Sequence, residues 1–186
     1  MFKPLHQYFR DEVRPRWYPV VVSWESLIAI CVGAAFAHWG ASLFSSYPRV
    51  SDITTGLIAY SAIALGFCVA GLTISLTFPE PKFTLLLVTP PKGKSRNHYS
   101  DLIFIFSWTA VAHWVALMVL FCAVLFTDGT TAILPAEHSA LRIWAVGLLA
   151  TICTYCLCQF LIAVITLSQV GNLYVAFLVK KLRHED

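Results

Sequence analysis

From Ile143 to Val179 no side chain carries a formal charge, and three more long apolar stretches, Val20–Phe44, Thr54–Phe78 and Leu102–Phe126, come before it. A bilayer core about 30 Å thick is crossed by roughly 20 helical residues, so each stretch is long enough to span and too long for an ordinary buried helix. With 58% apolar and 12% charged residues, little of the 186-residue chain is left for a soluble domain. The expected fold is all-α integral membrane. It consists of one domain with spans at about 20–44, 54–78, 102–126 and 143–170, a segment 1–19 before them and a segment 171–186 after them.

Orientation follows from the basic residues. Lys3, Arg10, Arg14 and Arg16 precede the first span, Lys82, Lys92, Lys94 and Arg96 separate the second from the third, and Lys180, Lys181 and Arg183 follow the fourth. Only Arg49 and Arg142, of 13 Lys and Arg, fall on the opposite side. Short basic loops stay in the cytoplasm, which places both termini and the central loop there. The net charge of +3 is then a matter of headgroups rather than of nucleic acid, and no duplex DNA binding is expected. The leader, rich in Pro and charge, is unlike a cleavable signal. Phe2, Leu5, Tyr8 and Phe9 recur at helical spacing beside Lys3 and Arg10, as in a short surface helix that Pro15 and Pro19 end; Trp17 and Tyr18 fall at headgroup level.

All six cysteines, Cys31, Cys68, Cys122, Cys153, Cys156 and Cys158, lie in apolar spans. This excludes a loop disulfide framework, and the Cys156-x-Cys158 spacing is not a redox pair. The connections Ser45–Ile53 and Thr127–Leu141 are too short for an extracellular domain. In the central segment Pro79–Asp101, prolines bracket an apolar stretch, Phe83–Val88, and a basic run containing Lys92, Lys94, Arg96 and His98 follows. With Lys82, Lys180, Lys181 and Arg183 these residues form the expected cytoplasmic face for a partner protein or a nucleotide-type signal.

Polar residues within the spans are the candidate site. Thr151, Tyr155, Cys158, Gln159, Thr166 and Gln169 fall within an arc of about 100° on a helix, opposite Leu157, Phe160, Leu161, Val164 and Leu167. The stripe reads either as an interhelical hydrogen-bond seam or as the wall of a water-filled pore. In span two Ser61, Cys68 and Ser75 repeat every seven residues among Ala62, Gly66, Ala70 and Gly71; span one has Gly33, Ala37 and Ala41. These small residues allow close helix approach, and Gly66 is the position at which a leucine is expected to disturb packing. Glu25, His38 and His113 are titratable at membrane depth. Glu25 is near enough to the inner membrane surface to reach headgroups or to pair with Arg16, and His113 is placed to bond Tyr155 or Gln159.

No nucleotide-binding, hydrolase or metalloprotease motif appears, no close ligand pair points to a metal, and no cofactor or enzymatic activity is expected. The last apolar run exceeds what a bilayer requires, so it either projects into the cytoplasm or bends at Gly171-Asn172, its Tyr174, Phe177 and Leu178 meeting membrane or sister subunits. In size, four spans, minute outer loops and basic inner face, the chain resembles the small four-span membrane subunits of bacterial antiphage defence systems such as Hailong and Kiwa. The resemblance implies a homo-oligomer, often tetrameric, that opens a pore on a cytosolic cue or holds a cytosolic partner at the bilayer. A gated channel is the expected function, with a non-conducting anchor or sensor as the alternative.

Overall fold

The structure is a computed structural model that describes residues 7–16, 20, 22–43, 50–90, 97–126 and 140–183. Among the described residues the chain is helical and holds no strand. Five α-helices, α1 (Trp24–Leu43), α2 (Val50–Leu76), α3 (Pro81–Val88), α4 (His98–Phe126) and α5 (Ala140–Leu182), follow a π-helical turn at Phe9–Val13 and a 3-10 turn at Arg14–Arg16. Pro15, expected to end the leader helix, sits inside the 3-10 turn, while Trp17, Tyr18 and Pro19 lie outside the described residues.

Among the described residues three helices are long and apolar enough to cross a membrane, at Thr54–Leu76, His98–Cys122 and Ile143–Leu182. The apolar part of α1, Trp24–Trp39, is shorter, although all 20 residues of that helix cover about 30 Å at 1.5 Å per residue.

Local chemistry sets the helix ends. The Ser23 hydroxyl accepts the Ser26 N–H at 3.3 Å ahead of α1. Asn97 does the same for Ser100 at 2.7 Å, which starts α4 at His98, four residues before the apolar run itself. Pro79 follows the end of α2. Pro81 occupies the first turn of α3, where a missing N–H costs nothing, and Thr89 leaves the helix with ψ 117° ahead of Pro90. α5 is unbroken through Gly171-Asn172, and its 43 residues extend about 65 Å.

The chain groups into two compact units. The first, Met1–Ala59 with Ala116–Cys158, is held by a near-backbone contact of α1 with α5. A Cβ on Gly33 would fall on Thr151 Oγ1 and come within 2.6 Å of the Gly147 carbonyl oxygen; one on Gly147 would stand 2.9 Å from Ala37 Cβ. Only hydrogen fits there, as at other close membrane-helix crossings. Arg16 is buried in this unit and paired with Glu12. The second unit, Tyr60–Val115 with Gln159–Asp186, has an apolar core of Cys68, Phe83, Leu87, Leu102, Phe106, Ala163 and Val170. Gly71 admits the Phe106 ring, whose Cζ would lie 2.8 Å from an added Cβ. Gly66, expected as the close approach, is exposed, and a Cβ there meets nothing within 4 Å. Ala62 and Ala70 are exposed as well.

Candidate functional site

Three helices of the second unit bring a polar cluster into an apolar interior. On α4, one turn separates Thr109 from His113, and the two lie 2.8 Å apart through the Thr109 carbonyl oxygen and His113 Nδ1. A carbonyl only accepts, so Nδ1 carries the proton and the ring, if neutral, presents Nε2 as an acceptor. The Tyr60 hydroxyl of α2 stands 3.4 Å from Nε2 and donates to it. The Thr109 hydroxyl donates to the Ile105 carbonyl at 2.8 Å and reaches the Gln159 carbonyl of α5 at 3.4 Å. His113 and Thr109 are 0% exposed and Gln159 8%. Phe160 closes the cluster edge-on to both Tyr60 and His113, at 6.0 and 6.2 Å between ring centroids.

Both ring nitrogens of His113 are thus engaged, which is how a buried polar side chain is tolerated in apolar surroundings. Among the described residues no three His, Cys, Asp or Glu side chains gather to hold a metal ion. The expected partners of His113 are corrected: Tyr60 faces the ring in place of Tyr155, and Gln159 joins through its backbone oxygen to Thr109.

The remaining candidates divide by exposure. Ser61, Cys68 and Ser75 are buried within the chain; Cys68 belongs to the apolar core, and the Ser75 hydroxyl donates to the Gly71 carbonyl at 2.7 Å. The α5 stripe is not uniform. Thr151, Tyr155 and Cys158 belong to the first unit and Gln159, Thr166 and Gln169 to the second; Gln159 is buried, Gln169 exposed and the rest half-buried. Of the residues expected to face lipid, Leu157, Leu161 and Val164 are exposed. Phe160 is packed on Tyr60 and Phe67, and Leu167 on the core, because aromatic and core contacts draw them inward.

Ser168 and Asn172, which the stripe omits, share the exposed side of α5 with Gln169. A signal was present in the sequence, since both are polar within an apolar span. Glu25 is half-buried and His38 exposed, its ring edge-on to Trp39 at 5.3 Å. Arg16, the expected partner of Glu25, is paired with Glu12, four residues earlier in the chain. Beside this pair the Tyr8 hydroxyl is pushed up to about 12, chiefly by burial and then by the Glu12 carboxylate, with Arg16 acting the other way.

Of the basic residues, Lys92, Lys94 and Arg96 lie outside the described residues, while Lys82, His98, Lys180 and Arg183 are exposed. Lys181 is half-buried and donates to the Glu80 carboxylate at 3.1 Å. This pair flanks an aromatic clasp: Phe83 of α3 packs on Phe78, Tyr174 and Phe177, with ring centroids 5.2, 5.0 and 5.6 Å away. Tyr174 and Phe177 therefore meet α3 of their own chain, where membrane or a sister subunit was expected. Around Val22–Ile30 a shallow groove of about 280 Å³ is lined mostly by apolar side chains and gathers no titratable group. Comparison with family models, with curated proteins and with solved structures finds nothing that matches this chain.

Proposed function

We propose that copies of this chain, each with four spans and with its basic segments in the cytoplasm, assemble in a bacterial inner membrane into an ion-conducting path gated from the basic side. The observation that carries this reading is Gln169. Its side chain is exposed within the apolar span Ile143–Leu182 and makes no hydrogen bond among the described residues, with Ser168 and Asn172 beside it on the same side of α5. An amide turned to acyl chains leaves its donors and acceptor unmet, at a cost of several kcal/mol, so water or another copy is the favoured neighbour. Threonines escape this constraint: Thr73 on α2 and Thr77 just past its end are also exposed but donate to carbonyls one turn back at 2.9 and 2.8 Å. Because Ser61, Cys68 and Ser75 are packed inside the chain, the wall of the path falls to α5. The likeness to the membrane subunits of antiphage defence systems supplies the role, an effector opened by the product or protein of a neighbouring gene.

Ion flux through purified protein in liposomes, with that trigger present, tests the reading. Gln169→Leu narrows the path with an apolar constriction and is expected to lower flux at least tenfold, whereas Ile63→Ala, at an exposed position of α2, leaves it unchanged. A triggered wild-type protein that passes no ions overturns the channel. The alternative, an anchor or sensor that holds a cytosolic protein at the membrane, is favoured by the α3 clasp with exposed Lys82, Lys180 and Arg183, and it predicts capture of that protein without flux.

A further inference from the structure

The two sides of α3 are both apolar, and only one of them is used. Phe83 and Leu87, one turn apart, are 0% and 2% exposed and enter the core of the second unit. Leu85 and Leu86 are 67% and 54% exposed, and Lys82 and Thr89 share their side of the helix. An eight-residue helix has too little length to be stable alone, so its position is dictated by what Phe83 and Leu87 touch. They touch the spans. Their core partners Cys68, Phe106, Ala163 and Val170 all lie inside the apolar windows Thr54–Leu76, His98–Cys122 and Ile143–Leu182. The connection Thr77–Glu80 from the end of α2 can reach at most about 17 Å, so α3 stays beside the end of that span.

We propose that α3 is an interfacial helix, seated in the same leaflet as the end of α2, with Leu85 and Leu86 at the boundary of headgroups and acyl chains and Lys82 against anionic headgroups. The occupant of its free side is the lipid surface. Continuity with the spans argues for this, since a helix whose inner side packs at span level turns its outer side to the bilayer. Charge argues for it too: the exposed cations Lys82, Lys180 and Arg183 suit an anionic leaflet, and a lysine stem lies along apolar surface while its ammonium reaches the phosphates. The proposal is independent of conduction and holds for channel and anchor alike.

The test uses the whole, unsubstituted protein in liposomes that contain a phospholipid with a diazirine placed shallowly on its acyl chain. After irradiation, trypsin cutting at Lys82 and Lys92 releases residues 83–92 as one peptide. Lipid adducts are expected on that peptide, more of them when phosphatidylglycerol replaces part of the phosphatidylcholine. Leu85→Glu with Leu86→Glu is expected to remove the adducts from 83–92 while those on the Thr54–Leu76 span persist. Adducts on the spans of the unsubstituted protein with none on 83–92 would overturn the proposal and leave that side to a second copy or a soluble protein. Equal labelling with and without phosphatidylglycerol would overturn its anionic part. Should the double variant fail to accumulate, the unsubstituted protein decides alone.

Discussion

His113 shows what a single polar residue needs in order to sit among apolar helices. Its ring takes one bond from its own helix and one from α2, and Phe160 covers what is left. Tyr60→Phe removes the donor to Nε2 and is expected to cost about 1 kcal/mol of stability in detergent unfolding, the usual size of a hydrogen bond between membrane helices. His113→Ala adds a cavity to the lost bonds and is expected to cost about 2–4 kcal/mol in the same measurement. The sequence exposed His113 as an outlier and did not reveal its partner, because Tyr60 lies on another helix and only the helix packing brings the two together. The glycines show the same limit. On α2, Gly66 and Gly71 lie on different sides of the helix, and nothing in the small-residue spacing chooses between them. The Phe106 ring chooses Gly71. Gly71→Leu is therefore expected to lower the unfolding midpoint sharply, since overpacking of this kind costs at least about 1–3 kcal/mol, while Gly66→Leu leaves the midpoint of the single chain unchanged.

At the level of elements, α3 and the last turns of α5 support each other. The Glu80–Lys181 pair is only partly shielded from solvent, its side chains 21% and 35% exposed, so removing it is expected to cost under about 1 kcal/mol. Phe83, wholly buried against Phe78, Tyr174 and Phe177, contributes more, and Phe83→Ala is expected to cost about 3–5 kcal/mol. Limited trypsin digestion separates them: cleavage at Lys82 should accelerate markedly in Phe83→Ala and little in Lys181→Met. The long helices were legible because uninterrupted apolar runs have few other physical outcomes. α3 was legible only as a short apolar stretch between prolines, since its helix depends on a surface supplied by residues about ninety positions later. For the same reason the end of α5 read as a segment in need of a partner, and the partner stayed unnamed.

For the whole molecule, the proposed arrangement makes two claims that experiments on intact membranes can decide. In a background lacking the six native cysteines, Ser95→Cys is expected to react with an impermeant maleimide only from the cytoplasmic side and Ser51→Cys only from the opposite side; reaction of both from one side would remove the four-span arrangement. In mild detergent the mass is expected to be that of a closed homo-oligomer, four copies being the first expectation, and a strictly monomeric mass would count against pore assembly. The division into two compact units had no counterpart in the sequence, because α2, α4 and α5 each supply residues to both and no linker or change of composition marks the boundary. The clasp on α3 also has a meaning in time. Phe83 is made long before Tyr174 and Phe177, and at about 5–20 residues per second the interval is roughly 5–20 s. Throughout that interval an apolar side chain destined for complete burial has no protein surface from its final partners on α5, so during synthesis the nascent chain must lodge it in lipid or in the insertion machinery. Biogenesis, more than the finished fold, is where a charged substitution at Phe83 would first be felt.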